Sequence, residues 1–361
     1  MITKLRLHNW KSFEDSTIYI DPLTFLIGTN ASGKSNVLDA FDFLRLDISG
    51  VTTESIVNQI RGGEDWIVRK GEQSAWLELT IEENGQKIIH KVVVSKDEVG
   101  LSRMSQTTSS SPSTVDNNKA YDIAVDNINR VFILDPVPNN MRQYSKVSRV
   151  LQRDGSNIAG VLASLPKEEK ENLEKALTAY IRPLPERDIN KIEAVTVGLS
   201  KTDAMLYCYE DWNPDIPVDA RGMSDGTLRF ASIVVALLTV KPHSLLIIEE
   251  VDNGLHPSRA KELVKVLKQV SNERNVDVLC TTHNPKLISE LGNEMIPFIS
   301  YVVRDEKGNS HIKLLEEKDN LAKLMASGNV GDLMVMDDYT GDEGLKAYEP
   351  TTKNPVPRRR K

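Results

Sequence analysis

Cysteine is almost absent from this chain, which has two in 361 residues, Cys208 and Cys280. So few cysteines, so far apart, exclude a disulfide framework and a cysteine-based zinc site, and they suit core thiols of a reducing compartment. No run approaches the roughly 18 apolar residues that a membrane helix needs, and the N-terminus lacks the apolar block of a signal peptide. The sequence therefore predicts a cytoplasmic protein without a membrane partner.

Positive net charge is lacking as well, since the formal charge is −7. A protein built mainly to coat DNA is expected to be basic, so the composition does not favour that class, although a local basic groove stays open. Internal repeats and sustained heptads are also missing, which excludes a long coiled coil. The 40% of hydrophobic residues are enough to bury a large core in one or two domains.

A phosphate-binding loop follows the apolar run of residues 23–27. Residues 28–35 are Gly-Thr-Asn-Ala-Ser-Gly-Lys-Ser, and helical spacing begins directly after them. In this context backbone N–H groups converge on phosphate oxygens, Lys34 adds a cation for the β- and γ-phosphates, and Ser35 supplies a hydroxyl for Mg²⁺. An accidental glycine-rich turn is the alternative, which the flanking strand and helix disfavour. We predict a nucleoside triphosphate site formed by Gly28, Asn30, Ser32, Gly33, Lys34, Ser35 and Asn36.

Residues 244–250 form an apolar strand that ends in two adjacent carboxylates, Glu249 and Glu250. Burying such a pair without partners would cost several kcal/mol for each charge, and Mg²⁺ is the expected partner beside a glycine loop. Because side chains alternate along a strand, we assign Glu249 to Mg²⁺ and Glu250 to polarising the attacking water. A solvated pair of strand-end acids is the alternative.

Two further motifs lie next to predicted elements: one follows an apolar strand, and the other precedes an apolar helix. His283 ends the apolar strand of residues 276–282, one strand–helix–strand unit after the acids, so it is expected at the same sheet edge. We interpret it as a sensor of the γ-phosphate or the attacking water, with a structural histidine as the alternative. Ser224, Asp225 and Gly226 open an apolar helix, and on their own they fit an N-cap better than an anion site.

In this order the motifs resemble the ABC-type ATPase head of the RecF, SMC and overcoming-lysogenisation-defect (OLD) branch, in particular compact bacterial AAA family ATPases of anti-phage defence. The resemblance is carried by residues 10–13, 28–35 (Walker A), 223–227 (signature), 247–250 (Walker B), 251–257 (D-loop) and 281–285 (switch histidine), and loosely by 153–159. It implies an α/β P-loop head with a mixed sheet, an N-terminal antiparallel β-subdomain, an inserted α+β region and no long coiled coil.

The resemblance and the composition together predict four segments. They are the N-terminal lobe with Walker A at 1–74, inserted strands and short helices at 75–210, the C-terminal lobe with the other motifs at 211–335, and a loose basic tail at 336–361. Within the insertion, residues 102–118 are rich in serine, threonine and asparagine. We interpret them as a mobile surface loop, with a linker between domains as the alternative.

The resemblance also implies the arrangement of the site. In this family two heads enclose two ATP molecules, so Ser224, Asp225 and Gly226 would approach the γ-phosphate of the opposite subunit, and the chain would form a homodimer when ATP binds. The family's Q-loop glutamine is a metal ligand, and Gln59 is its candidate here. Glu249 stands where an aspartate is more common. The implied cofactors are ATP and Mg²⁺.

Three processes compete. A transporter ATPase is disfavoured, because residues 10–13 resemble the DNA-maintenance branch. A compact defence ATPase is favoured; since no Toprim or His-Asn-His pattern is visible, a separate nuclease or Toprim-like effector is expected to bind the middle insertion, residues 75–200. The alternative is a RecF-like ATPase of DNA repair or recombination that clamps DNA. Nucleic acid is therefore a candidate partner. Residues 353–361 carry five cations and two prolines, a composition that favours a solvated disordered end, and an electrostatic arm that contacts nucleic acid is the alternative.

Overall fold

The strands are distributed along the whole described chain. The computed structural model describes residues 1–97, 100–109, 117–184, 189–318 and 321. The strands are β1 (Ile2–Trp10), β2 (Phe13–Tyr19), β3 (Leu23–Ile27), β4 (Ser74–Glu83), β5 (Gln86–Asp97), β6 (Gly100–Ser109), β7 (Val131–Leu134), β8 (Ser145–Lys146), β9 (Ile189–Val197), β10 (Asp203–Glu210), β11 (Asn213–Asp219), β12 (Leu245–Ile248), β13 (Asp277–Thr282), β14 (Ile299–Arg304) and β15 (Ser310–Leu314).

The helices are short to medium in length. They are α1 (Lys34–Ile48), α2 (Thr53–Gln59), α3 (Asn117–Asn129), α4 (Pro138–Met141), α5 (Ile158–Ala163), α6 (Lys167–Ile181), α7 (Asp225–Thr239), α8 (Ala260–Arg274) and α9 (Pro285–Leu291), with 3-10 turns at Glu64–Trp66, Pro257–Arg259, Asn293–Phe298 and Leu315–Glu317. In the part of the chain that the structure describes, no helix exceeds the 15 residues of α1, α6, α7 and α8. None of the described helices combines the length and the apolar character that crossing a bilayer requires.

The packing divides the chain into two units. The first comprises Met1–Val131, His243–Glu249 and Asp277–Lys361, and the second comprises Phe132–Pro242 and Glu250–Val276. The predicted segments are continuous in sequence, whereas each of these units combines separate segments of the chain, and the first unit combines its two ends. The predicted basic tail at 336–361 lies outside the described residues.

The first unit is built on a mixed sheet. Its strands follow the order β6-β5-β4-β1-β2-β15-β14-β3-β13-β12. From β6 to β2 all neighbours are antiparallel, and the predicted N-terminal antiparallel subdomain is thus confirmed. The Asn84–Gly85 turn joins β4 to β5 with φ values of +50° and +77°, a combination that favours asparagine followed by glycine in a tight hairpin.

The parallel part of this sheet positions the predicted site. β14, β3, β13 and β12 run parallel, with Ile27 opposite Thr282 and Ile248 opposite Cys280. Every residue of β3, β12 and β13 is buried, as expected for strands covered on both faces. The carboxyl ends of β3, β12 and β13 therefore meet at one sheet edge, and residues 28–35, Glu249 and His283 follow them there.

The predicted mobile loop at 102–118 is wrong over its first half. β6 pairs with β5 along its whole length, from Gly100 opposite Asp97 to Ser109 opposite Ile88. Polar composition suggested a loop, but an edge strand with one exposed face accepts polar residues, and threonine favours extended backbone. Helix α3 begins at Asn117, and residues 110–116 lie outside the described part of the chain.

The second unit combines a small antiparallel sheet with helices. β10 pairs with β11, β8 and β9. Helices α5 and α6 contact β9, and α7 packs against both α6 and α8. Helix α7 is buried along most of its length, which agrees with its strongly apolar sequence. Within the predicted insertion 75–210, the strands β8, β9 and β10 and the helices α5 and α6 of this unit agree with the predicted α+β character.

Candidate active site

The loop between β3 and α1 has a backbone that only glycine fits at two positions. Gly28 and Gly33 have φ values of +156° and +121°. An added Cβ would lie 2.7 Å from the Val302 carbonyl oxygen at Gly28 and 2.7 Å from Ser310 Oγ at Gly33. The loop is thus held against β14 and β15, and its N–H groups are pre-organised at the start of α1.

Two side chains of this loop fit a phosphate ligand. Lys34 is buried, and its Nζ donates to the carbonyl oxygens of Gly28 and Thr29 at 2.7 and 2.8 Å. Ser32 Oγ is buried and has no hydrogen-bond partner in the structure. A buried polar atom without a partner is unfavourable, so a phosphate oxygen beside the Ser32 hydroxyl would remove that cost. An ammonium group held by carbonyl oxygens can exchange them for phosphate oxygens without moving far.

The structure brings two of the three predicted metal ligands together. Glu249 follows β12 and is buried, and its Oε1 accepts a hydrogen bond of 2.8 Å from Ser35 Oγ. A hydroxyl and a carboxylate oxygen are ligands that Mg²⁺ prefers, usually together with phosphate oxygens and water. The residues present therefore fit a divalent cation between the loop and the end of β12.

Gln59, the third predicted metal ligand, makes its hydrogen bonds within its own helix. Its Nε2 donates to the Ser55 carbonyl oxygen at 3.1 Å, and the side chain is exposed. Arg61, two residues later, reaches Glu249 instead, with Nη1 at 2.9 Å from Oε1. Burial would lower the pKa of Arg61, but Asp39 and Glu249 outweigh it and raise that pKa. Arg61 was missed because no local motif marks an arginine before two glycines.

The turn of residues 10–13 anchors the first turns of α1. The Trp10 indole N–H donates to the Asn36 carbonyl oxygen at 2.8 Å, and Asn36 Nδ2 donates to Ser12 Oγ at 2.8 Å. Lys11 Nζ donates to Asp39 Oδ2 at 2.6 Å, while burial lowers the pKa of Lys11 despite that carboxylate. Asn36, which we predicted to bind nucleotide, thus forms hydrogen bonds with this turn through both its backbone and its side chain.

The predicted base and sensor follow their strands. His283 lies at the carboxyl end of β13, and its side chain is exposed at the sheet edge. Glu250 begins the second segment of the second unit and has a φ of +45°, which is uncommon outside glycine and is found at functional turns. The Glu250 Oε2 accepts from Asn253 Nδ2 at 3.1 Å, and this bond directs the carboxylate.

The predicted signature residues open α7 within the second unit. Ser224 Oγ accepts from the Thr227 N–H at 3.1 Å, which confirms the N-cap. Asp225 is bound by Arg142, whose Nη2 lies 2.7 Å from Oδ1. A Cβ on Gly226 would lie 2.7 Å from Arg259 Nη1 and 3.1 Å from the Gly254 carbonyl oxygen, so a larger residue here would displace the Arg259 side chain. The sequence did not predict that Arg142 and Arg259 lie beside residues 225 and 226, because both arginines come from other segments of the chain.

The family described as "AAA domain, putative AbiEii toxin, Type IV TA system" matches residues 23–289, which include every motif above except the turn of residues 10–13. The chain belongs to this family. It is a P-loop ABC-type ATPase of the branch that includes RecF, SMC and OLD proteins, and it binds nucleotide. The predicted enzyme class is thus confirmed.

Individual relatives of this ATPase are distant. An "ATP/GTP phosphatase" of Helicobacter pylori is 24% identical over an alignment of 360 positions, which covers 87% of this chain and 91% of that protein. The "Old nuclease" of Escherichia phage P2 is 22% identical over an alignment of 370 positions, which covers 88% of this chain and 61% of the phage protein. A Pyrococcus furiosus Smc head domain, solved with the C-terminal domain of ScpA, has 14% identity and a TM-score of 0.59, with 90% and 99% of the two chains covered. The likeness to that structure confirms the predicted head fold.

Proposed function

We propose that this ATPase is a nucleotide switch of a bacterial anti-phage defence system, in which two copies close on ATP and gate a separate nuclease or Toprim-like effector. The observation that carries the proposal is the match to the Old nuclease, which covers 88% of this chain and 61% of the phage protein. The aligned region is thus more than half of the length of a protein described as a nuclease. The description of the family as a putative toxin of a toxin–antitoxin system is in line with a two-component system.

In the proposed site, the N–H groups of residues 28–35 and the Lys34 ammonium bind the phosphates. Ser35 Oγ and Glu249 Oε1, which lie 2.8 Å apart, are the residues that would hold Mg²⁺. The bound cation would neutralise charge on the β- and γ-phosphates. Glu250 would accept the proton of the attacking water, and His283 at the sheet edge would sense the γ-phosphate.

We propose that residues 224–226 of the second unit contact the γ-phosphate that is bound to an opposite subunit. Ser224, Asp225 and Gly226 lie at the N-terminus of α7, where N–H groups and the helix dipole favour an anion. The Asp225 side chain is 63% exposed, so this end of α7 faces solvent in the single chain. An opposite subunit could therefore present its γ-phosphate there.

Exposed apolar side chains support an effector surface on the predicted region 75–200. Tyr144, Val150 and Leu199 of the second unit are all more than half exposed. Exposed apolar residues mark a protein-binding surface where they form one contiguous patch, so we propose these three as candidate contacts for the effector. The Smc head of Pyrococcus furiosus was solved with a domain of ScpA, which is a precedent for a head that binds a separate protein.

The substitution Glu250→Gln tests the switch, because it keeps the shape of the side chain and removes the proton acceptor. We expect retained ATP binding, hydrolysis slowed at least tenfold, about 1.4 kcal/mol of barrier, and an ATP-dependent dimer in light scattering. Glu306→Gln, an exposed acid on the β14–β15 turn, is the control and should behave as wild type. A chain that stays monomeric with ATP in every variant contradicts the proposed closure.

Co-purification with the products of neighbouring genes tests the effector. We expect one protein to co-purify in amounts that differ between wild type and Glu250→Gln. The double substitution Val150→Asp with Leu199→Asp should abolish the co-purification of that protein. A deletion of residues 102–118 would remove β6, so the point substitutions on the second unit are the cleaner test. Absence of a partner in both nucleotide states contradicts the gating proposal.

DNA clamping is the second candidate function, and one surface favours it. On the antiparallel part of the sheet, Arg6 and Lys91 lie 5.0 and 4.1 Å from the Trp76 ring centroid, and His8 stacks on that ring at 4.9 Å. Cations around an aromatic ring suit nucleic acid, although Asp15 pairs with Arg6 on the same strands. Tight duplex binding that Lys91→Gln weakens, together with no co-purifying protein, would favour the clamp.

A further inference from the structure

The Arg61 guanidinium lies beside the oxygen atoms that we assign to Mg²⁺. Its Nη1 donates to Glu249 Oε1 at 2.9 Å, and its Nη2 donates to the Ser35 carbonyl oxygen at 3.3 Å. Ser35 Oγ donates to the same Oε1 at 2.8 Å. A carboxylate oxygen has two lone pairs, so these two donors account for both acceptor positions of Oε1.

A buried ion pair holds the other side of Arg61. Its Nε donates to Asp39 Oδ1 at 2.9 Å, and Lys11 Nζ binds both Asp39 Oδ2 and the Arg61 carbonyl oxygen at 2.6 Å. The side chains of Lys11 and Asp39 are 6% and 4% exposed, whereas that of Arg61 is 49% exposed. The Arg61 guanidinium can therefore turn to solvent while the Lys11–Asp39 pair stays in place.

These four side chains are balanced in charge without a metal. Lys11 and Arg61 are positive, and Asp39 and Glu249 are negative. A divalent cation bound to Glu249 Oε1 would need the lone pair that Nη1 occupies. It would also lie beside the guanidinium, and like charges at such a short distance repel each other strongly in a partly buried site. The metal and the guanidinium therefore compete for the same oxygen atom.

We propose that Arg61 occupies the metal side of Glu249 in the metal-free ATPase and leaves when a divalent cation binds, so that Arg61 sets the affinity for the metal. Arg61 is thus a positioning residue that keeps Glu249 directed at Ser35 before the metal arrives. The inference rests on the proposed assignment of Ser35 and Glu249 to the metal.

Manganese binding to the nucleotide-free full chain tests this competition. Electron paramagnetic resonance measures free Mn²⁺, and we expect Arg61→Gln to bind it about tenfold more tightly than wild type, because the competing cation is gone. Arg61→Lys, which keeps the charge with fewer donors, should lie between the two. Arg45→Gln is the matched control, since Arg45 is 45% exposed and pairs with another α1 carboxylate, Asp42. Its affinity should equal that of wild type.

Thermal unfolding supplies a readout that does not depend on hydrolysis. Without metal, Arg61→Gln should unfold at a lower temperature than wild type, because Asp39 and Glu249 lose a partner, and Mn²⁺ should raise its midpoint more than that of wild type. Unchanged or weaker Mn²⁺ binding by Arg61→Gln overturns the inference if Glu249→Gln still reduces binding. If Glu249→Gln leaves Mn²⁺ binding unchanged, the proposed metal ligands themselves are wrong, and the inference falls with them.

Discussion

At the scale of single residues, most polar side chains of the candidate site form hydrogen bonds with other groups of the protein. The Lys34 ammonium is held by two carbonyl oxygens of its own loop, and Ser35 Oγ is held by Glu249. Ser32 Oγ, in contrast, is buried without a partner. On the proposed assignment, binding of nucleotide would exchange internal hydrogen bonds for bonds to phosphate, which limits the free energy of binding that each residue can add.

Lys34→Ala should remove ATP binding, because it deletes the buried cation of the phosphate loop. We expect the affinity for ATP with magnesium to fall at least 100-fold, about 2.7 kcal/mol, in isothermal titration calorimetry. Lys87→Ala is the control, since Lys87 is exposed on β5 far along the sheet order from the loop. ATP affinity in Lys34→Ala equal to that of the control would remove Lys34 from the site.

At the scale of elements, the β14–β15 hairpin supports the phosphate loop. Ser310 Oγ donates to the Ser32 carbonyl oxygen at 2.6 Å. The Val302 carbonyl oxygen lies so close to Gly28 that an added Cβ would be 2.7 Å away from it. Asp305 in the turn accepts from the Asn309 N–H at 2.8 Å and contacts His311 Nε2 at 3.0 Å. Burial would raise the pKa of Asp305, but the bonds from His311 and Asn309 outweigh it and lower the pKa to about 2.

Asp305→Asn should therefore destabilise the hairpin at neutral pH. A carboxylate with a folded pKa of about 2, against an ordinary 3.8, stabilises the fold above pH 3.8 and loses this contribution as the pH falls through 2. We expect the variant to lose about 1–2 kcal/mol of unfolding free energy at pH 7 in urea, less than the full shift implies because the group is partly exposed. The difference from wild type should shrink between pH 4 and pH 2.5. A pH-independent difference would mean that the carboxylate charge is not the cause.

At the scale of the whole molecule, charge would govern a contact of the ATPase with nucleic acid, which is the second candidate function. The chain carries a net charge of −7, yet residues 353–361 hold five cations and lie outside the described residues. Deleting residues 353–361 should weaken DNA binding and reduce the slope of log affinity against log salt by up to about five phosphate contacts. Fluorescence anisotropy at several salt concentrations measures this slope, and replacing the five cations with glutamine separates charge from length. A slope that does not change would exclude the tail from the contact.

The local structure around the candidate site was largely predictable, because its main signals are local. The two glycines and the lysine of residues 28–35 follow a strand and open a helix, and Ser224 caps its own helix at Thr227. The edge strand β6 was not predictable, because its serines and threonines are as typical of a loop as of a strand with an exposed face. The pairing with β5 decided between the two.

The sequence by itself determined the family, the nucleotide loop and the acids at the end of β12, since spacing along the chain encodes each of them. Only the tertiary structure showed which distant side chains complete the site. Arg61 and Glu249 are 188 positions apart, and Ser310 and Ser32 are 278 apart. Such contacts arise when parallel strands from both ends of the chain enter one sheet, and no local periodicity records which residues then become neighbours.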